Sequence, residues 1–591
     1  MSSGPALPPD LAGLSAGFPA PSPEVWRAQV DKALKGGSFD RLISRTLDGL
    51  AIQPLYPRAT DGRPPLARAQ AQGWRALTRI DHAEPDAANE QARVDLEGGA
   101  QGLHVVMAGS LGACGFGLPE GAGALEAALA GVDLALADVD LDLGADGALA
   151  LRLAALAEKQ GLAPERAAIS FGLRAQDPQL AARATALAQR GFRGPFAAAD
   201  ARAVHAAGGS PAQELAFALA EGVAILRALE AAGMSVEEAR DALVFRMACD
   251  ADFFVSLSKL RALRLLWARV EEGCGLAPAP ARIHAQTGWR MMTRRDPWVN
   301  VLRTTTAAFA AAAGGADAIS VLPFTQALGL PDAFARRLAR NAQLVLAEEA
   351  HAARVADPAA GAGGFEALTD ALCETAWGLF QTCERAGSLK GAAQTVSAEV
   401  AKTRATLRKD AARRKEAITG ASIYPDLAEA PQSVLAPLPR DWRGDDAAFP
   451  AMRLAEDFER LRDQSDEALR TRGARPRVFL LALGSLVAAS ARMDFARGVF
   501  EAGGFETHAS EDLGAFAASG ATLACLCGTD EAYGAQGEAA AQALKAAGAR
   551  RLWLAGRGGD AEAGLRAAGV DAFVFAGADI IAALEEAWVA A

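Results

Sequence analysis

Arg282-Ile-His-Ala-Gln-Thr-Gly-Trp-Arg-Met-Met-Thr-Arg-Arg-Asp-Pro-Trp-Val-Asn-Val-Leu-Arg-Thr-Thr305 is the stretch that decides the fold. With Ala281 it opens as a short strand over 281–285, turns at Thr287-Gly288, and passes Asp296-Pro297 into a helix. That is a βα unit. Polar His284 and Gln286 fall at the carboxyl end of its strand, where barrel enzymes keep their chemistry. Read alone, a His-x-Gln at a strand end is either a satisfied structural pair or a ligand-facing one.

The same grammar repeats on both sides. Strand candidates are 102–107, 133–137, 166–173, 194–200, 243–249, 281–285, 316–322 and 353–356, most followed by an Ala/Leu/Arg helix. Eight such units fit a (β/α)8 TIM-type barrel, and a doubly wound sheet gives the same alternation. We place the barrel at 61–395, after an N-terminal arm at 1–60 whose first helix Ser22 caps with Pro23 in its first turn. A charged helical linker over 396–475 includes the extended, Pro-rich run Ala430–Pro439. From 476 to 591, short apolar strands at 477–483, 522–527, 551–555 and 572–575, with a weaker one near 506–509, alternate with helices. That is flavodoxin-like parallel-sheet patterning. The predicted class is therefore α/β, a TIM-type barrel followed by a flavodoxin-like domain.

Composition sets bounds. A chain of 591 residues with 51% hydrophobic and 22% charged residues holds several folded cores and is not globally disordered. A net charge of −11 argues against nucleic acid as a partner. The seven cysteines are odd in number and scattered, as in buried free thiols of a reducing compartment. No run is long enough to span a membrane, and the Pro-rich start is no signal peptide, so the expected location is cytoplasmic.

The opening stretch resembles the adenosylcobalamin-dependent methylmalonyl-CoA mutase family, whose motif reads close to R-T-H-x-Q-T-S-G-W-x-L-T-x-x-D-P-x-x-N-x-x-R-T-T. One serine is missing here, between Thr287 and Gly288. Further phrases follow the family in order. They are Ala51-Ile-Gln-Pro-Leu-Tyr56, Lys259 to Trp267 with its apolar stripe Leu263, Leu266, Trp267 and Val270, Pro331 to Gln343, and Arg354 to Gly361. Barrel followed by flavodoxin-like domain is also the family's order.

The family's working positions do not follow. Aligned on Trp74, the barrel arginine falls on Leu77 and the tyrosine near Ala69. The barrel histidine falls on Ala203; only a slip of two residues brings His205 there. The cobalamin motif D-x-H-x-x-G, in which the histidine ligates cobalt and the aspartate orients it, falls on Val487, Ala489 and Arg492. Met493 is a poor cobalt ligand, and His508 reads as a surface residue.

The resemblance therefore implies a small, non-catalytic subunit of a heterodimeric mutase that converts methylmalonyl-CoA to succinyl-CoA. A large catalytic subunit would hold adenosylcobalamin and the acyl-CoA substrate. This chain would hold no cofactor or metal and present its arm and an interface above ~2,000 Å². His284 and Gln286 would be vestigial substrate contacts, with no catalytic residue here. Two alternatives stand: a barrel subunit of an acyl-CoA mutase that takes cobalamin from another chain, and a non-enzymatic scaffold or chaperone of a mutase. The expected barrel axis is closed by apolar side chains, and the expected cleft of the second domain is closed by Leu486 and its neighbours.

Overall fold

Parallel strands curl into a closed barrel between Arg75 and Ser320 in the computed structural model, which describes residues 22–59, 68, 73–121, 123–144, 146–439 and 448–591. They are β1 (Arg75–Ile80), β2 (Gly102–Val106), β3 (Asp138–Asp142), β4 (Ile169–Ser170), β5 (Leu173–Arg174), β6 (Ala197–Asp200), β7 (Leu243–Cys249), β8 (Ile283–Thr287) and β9 (Ala318–Ser320). Their hydrogen-bonded order is β4-β3-β2-β1-β9-β8-β7-β6-β5. The two ends of that order, β4 and β5, are halves of one crossing separated only by Phe171 and Gly172. Phe171 N–H donates to Pro195 O at 3.0 Å and Leu173 N–H to Phe196 O at 2.9 Å, so the sheet closes on itself. The barrel class expected from the alternation is borne out.

Gly172 is the hinge of that closure. Its φ is +66°, and a Cβ there would stand 1.8 Å from Leu141 O, so neither the conformation nor the space admits a side chain.

The outer ring is alanine-rich and well capped. Helix Pro211–Ala231 starts in a capping box between Ser210 and Gln213, with proline at its first position. Trp267, on helix Phe253–Gly273, sets its ring edge-on to Phe245 at 4.8 Å and packs over Gly222, where a Cβ would lie 2.9 Å from it. Leu263, Leu266, Trp267 and Val270 are all buried, as their helical spacing required.

Two barrel strands differ from the expected set. Residues 133–137 form a turn, and the strand starts at Asp138, because Asp138-Val-Asp-Leu-Asp142 carries a carboxylate at every inward position. Residues 353–356 are turn and bend; the missing strand is β1, Arg-Ala-Leu-Thr-Arg-Ile. Its polar look hides a buried role: Arg79 is 4% exposed and pairs with Asp81 at 2.6 Å.

After helix Leu389–Ala412 the chain runs back along the barrel. Ala436–Pro437 lies antiparallel to Gly329–Leu330, so the Pro-rich segment is extended as expected. Helix Glu456–Arg472 then leads to the second sheet. That sheet comprises β10 (Arg477–Ala482), β11 (Glu506–Ser510), β12 (Leu523–Cys527), β13 (Arg551–Ala555) and β14 (Ala572–Val574). All pairs are parallel, in the order β11-β10-β12-β13-β14, the flavodoxin-like winding. Apolar clusters cover both faces, one around Phe500 and Trp553 and the other around Phe479 and Leu552.

The two bodies are clamped by the motif's paired arginines. Arg294 Nη2 reaches Asp463 at 2.5 Å, and Arg295 Nη2 reaches Asp466 at 2.6 Å. Arg453 and Arg294 converge on Glu459, which is fully buried. Burial raises the Glu459 pKa, but Arg453 outweighs it and holds the carboxyl at about 2. Among the described residues, no helix is long and apolar enough to cross a membrane.

Replacing Gly172 with alanine should destabilise the chain by more than about 2 kcal/mol, from forced left-handed backbone plus a clash with a carbonyl. Urea unfolding of Gly172→Ala beside the parent protein measures this; equal midpoints would show that the barrel does not close through this residue.

Candidate functional site

Strand periodicity aims His284 and Gln286 from β8 into the barrel axis, on the same face as His104 of β2, Asp140 and Asp142 of β3, Asp200 of β6 and Arg246 of β7. At the carboxyl mouth, Gln286 Oε1 accepts from Arg202 Nη1 at 2.6 Å. Arg202 sits just past β6. Its Nε donates to Asp200 Oδ1 at 2.9 Å and its Nη2 to Asp142 Oδ2 at 2.9 Å. Burial would lower the Arg202 pKa, but Asp142 and Asp200 outweigh it and raise it further.

The loop after β2 lies directly on this pair. A Cβ on Gly112 would meet Asp142 Oδ2 at 2.2 Å and Arg202 Nη1 at 2.5 Å. Among the described residues, the mouth keeps a cavity of about 40 Å³ bordered by Leu111, Cys114, Arg202, His205, Trp289 and Ala451. Small-molecule sites run to roughly 300–1,000 Å³, so this space holds no thioester head group.

His205 reaches the mouth as well, but as a locked residue. Its Nε2 lies 3.0 Å from Asp250 Oδ2, which also accepts from Arg290 Nη2 at 2.9 Å. Burial, then the Arg290 charge, lowers the His205 pKa. Gly288 is pressed against its ring, where a Cβ would lie 2.7 Å away. Ala203 lies in the short helix Arg202–Ala206, Leu77 borders the amino-terminal cavity described below, and Ala69 is outside the described residues.

Below the mouth the axis is filled, and the filling corrects the apolar expectation. Arg246 Nη1 donates to Asp142 Oδ1 at 3.2 Å, and its Nη2 donates to Asp140 Oδ1 and to Leu141 O at 2.8 Å. His284 Nδ1 lies 3.2 Å from Asp140 Oδ2, and its Nε2 pairs with Ser320 Oγ at 3.0 Å. His104 stands edge-on to His284 with ring centroids 4.8 Å apart, and its Nε2 lies 3.3 Å from Asp142. Burial raises the pKa of Asp140, but Arg246 and then His284 outweigh it and hold the carboxyl well below its ordinary range. Burial pushes His104 down to about 4. This network separates the mouth from a cavity of about 490 Å³ at the amino-terminal end, bordered by Arg68, Trp74, Gln101, Asp138, His284 and Asp317.

Glu221 backs the network from helix Pro211–Ala231. It accepts from Asp200 N–H at 2.6 Å and from Gln176 at 2.9 Å. Burial, then the Asp200 charge, pushes its carboxyl up to about 7.

In the second domain, the positions of the cobalamin motif do not fit the cofactor. Val487 is 85% exposed at the start of helix Leu486–Ala502, while Ala489 is fully buried in its packing face. Arg492 crosses the carboxyl edge of the sheet: Nη1 donates to Ala555 O at 2.6 Å, and Nη2 reaches Asp530 Oδ1 at 3.0 Å. A Cβ on Gly556 would lie 2.0 Å from that guanidinium. Tyr533 OH donates to the same carbonyl at 2.7 Å and accepts from Gly528 N–H. The edge is thus covered by Arg492 and Tyr533, whereas Leu486, expected to close it, is 44% exposed. His508 is exposed and stacks on Phe479. Among the cysteines, Cys274 is exposed and five others are buried.

The sequence pointed to His284 and Gln286 but not to His104, Asp140, Asp142, Arg202 or Arg246, with which they are built. The available signal was charge at alternate positions of the strand Asp138–Asp142 and a lone Arg246 inside the otherwise apolar strand Leu243–Cys249.

Arg246→Met should lose roughly 3–5 kcal/mol of stability, because it leaves two buried carboxylates without their shared cation; a loss under about 1 kcal/mol in urea unfolding would contradict this. Glu221 makes a separate prediction. Its folded pKa of about 7 lies above its ordinary 4.5, so its contribution is complete at acid pH and is lost as pH rises through 7. Relative to Glu221→Gln, the parent chain should lose up to roughly 3 kcal/mol between about pH 5 and pH 8. A pH-independent difference would contradict it.

Comparison with known proteins agrees with this architecture. Residues 198–468 match the methylmalonyl-CoA mutase family model. The chain is 43% identical to the methylmalonyl-CoA mutase small subunit of Streptomyces virginiae, over 98% of each chain. It is 38% identical to a probable methylmalonyl-CoA mutase small subunit of Mycobacterium tuberculosis over 89% of each. It is 33% identical to the small subunit of Propionibacterium freudenreichii subsp. shermanii, over 97% of this chain and 96% of that one. With the mutase barrel, the following flavodoxin-like sheet and end-to-end similarity to these subunits, the chain belongs to the methylmalonyl-CoA mutase family of cobalamin-dependent isomerases.

Proposed function

We propose that this chain is the non-catalytic small subunit of a heterodimeric methylmalonyl-CoA mutase. A large partner subunit binds adenosylcobalamin and the acyl-CoA, and carries out the isomerisation to succinyl-CoA. The observation that carries this reading is the sealed mouth: Arg202, tied to Asp142, Asp200 and Gln286, occupies the place where a barrel enzyme receives its substrate. The cover of Arg492 and Tyr533 over the second sheet supports the same reading for the cofactor.

His284 and Gln286 then serve as vestigial substrate positions whose side chains hold the axis. The residues of this chain do no bond-making; they keep a barrel and a flavodoxin-like body rigid against the partner, in the cytoplasm. The arm fits a subunit contact, since helix Pro23–Leu34 buries no residue fully against its own chain. An apolar stripe along helix Val299–Ala313 fits one too: Leu302 is 68% exposed and Trp298 46%. The sealed mouth disfavours an active barrel borrowing cobalamin from another chain. The scaffold reading differs in stoichiometry alone.

The test is reconstitution. The purified chain given adenosylcobalamin and methylmalonyl-CoA should show no turnover, and co-expression with a mutase large subunit should yield a stable one-to-one pair that turns over. Turnover by this chain alone would contradict the proposal. Only transient, substoichiometric binding would favour the scaffold.

A further inference from the structure

The axis network is an alternating chain of buried charges: Asp200, Arg202, Asp142, Arg246, Asp140. It begins and ends in a carboxylate, and buried carboxylates are held by cations or hydrogen-bond donors. The Asp200 end is closed, because Arg202 engages both of its oxygens. At the Asp140 end, Arg246 takes Oδ1, and Oδ2 faces His284.

Two imidazoles converge on that open end. His104, Asp140 and His284 each offer one ligand atom, and the three atoms lie within 4.8 Å of one another. His104 is 0% exposed and His284 2%. His104 Nδ1 makes no hydrogen bond, while His104 Nε2 and His284 Nδ1 face the carboxylates of Asp142 and Asp140 at 3.3 and 3.2 Å. The surroundings match a supporting shell: Ser320 on His284 Nε2, Asp142 beside His104 Nε2, and Arg246 on the other oxygen of Asp140. His284 and Asp140 also border the cavity of about 490 Å³ at the amino-terminal end of the barrel, which supplies an entry path and room for a water ligand.

We propose that His104, Asp140 and His284 form a binding site for a divalent transition-metal cation, zinc by ligand type, inside the barrel axis. Two imidazoles, one carboxylate and a water complete a tetrahedron at ~2.0–2.2 Å bond lengths. Tetrahedral bonds of that length set ligand atoms ~3.4 Å apart, so the widest separation of 4.8 Å must close by about 1.4 Å on binding. The cation cross-links β2, β3 and β8 through its three ligands and so has a structural role.

The experiment uses the full-length chain carrying Cys274→Ser, which removes the exposed thiol among the described residues. After chelation and dialysis, zinc is titrated against a chromogenic chelator and counted by elemental analysis. We expect about one zinc per chain with Kd below ~1 µM, and tetrahedral d–d bands when Co2+ replaces zinc. Ser320→Ala should keep the fold and weaken binding about 10–100-fold, and His284→Gln and His104→Gln should abolish it. Should the histidine variants not fold, the Ser320→Ala shift and the Co2+ spectrum decide. No saturable binding would overturn the site. Undiminished binding in folded His104→Gln and His284→Gln would overturn it by placing the metal elsewhere.

Discussion

The buried charge chain from Asp200 to Asp140 is the constraint on which the rest of the barrel depends. Each guanidinium in it touches two carboxylates, so no member can leave without stranding a charge in a dry interior. Such networks add little net stability compared with an apolar filling, but they fix geometry. Here they dictate what the backbone around them must be. Gly172 gives way to Arg246, whose Nη2 would stand 3.0 Å from a Cβ there, and Gly112 lets a loop descend onto Arg202. The barrel is closed at its mouth because its axis is full of charge that has to be paired.

The family motif also has a mechanical role in this chain. In Arg282–Thr305, Asn300 donates to Thr293 O and Phe324 O, and Arg303 reaches Thr419 O. Arg294 and Arg295 clamp helix Glu456–Arg472, and Glu459 is buried among Arg453 and Arg294. These contacts join the barrel to the flavodoxin-like body. The motif is a mechanical joint between the two bodies. Likewise, in the second domain Arg492 replaces a glycine of the cofactor motif and hydrogen-bonds across the sheet edge that the glycine would have left open.

The architecture was legible in the sequence because strand–helix alternation reports which faces are buried. The parallel order of both sheets, the capping of the arm helix by Ser22, and the Trp267 stripe all follow from local patterns. What was not legible is the inside of the barrel. Asp138-Val-Asp-Leu-Asp142 and Arg75-Ala-Leu-Thr-Arg-Ile80 look like surface because their charges are paired with residues distant in sequence, as Asp140 is with Arg246, 106 positions away. Periodicity reports burial of apolar residues and is silent on buried ion pairs. His284 and Gln286 were visible as polar residues at a strand end, but their partners come from four other strands and the turn after β6, which no local spacing reveals.

A mutase family member with a filled axis and a covered cofactor edge has one consequence that is independent of any variant or assay of rate. In the purified pair of this chain with its large subunit, cobalamin can be counted by absorbance against protein. The account predicts one cobalamin per pair of chains, held wholly by the large subunit. Two per pair, or cobalamin retained by this chain after the subunits are separated, would contradict it.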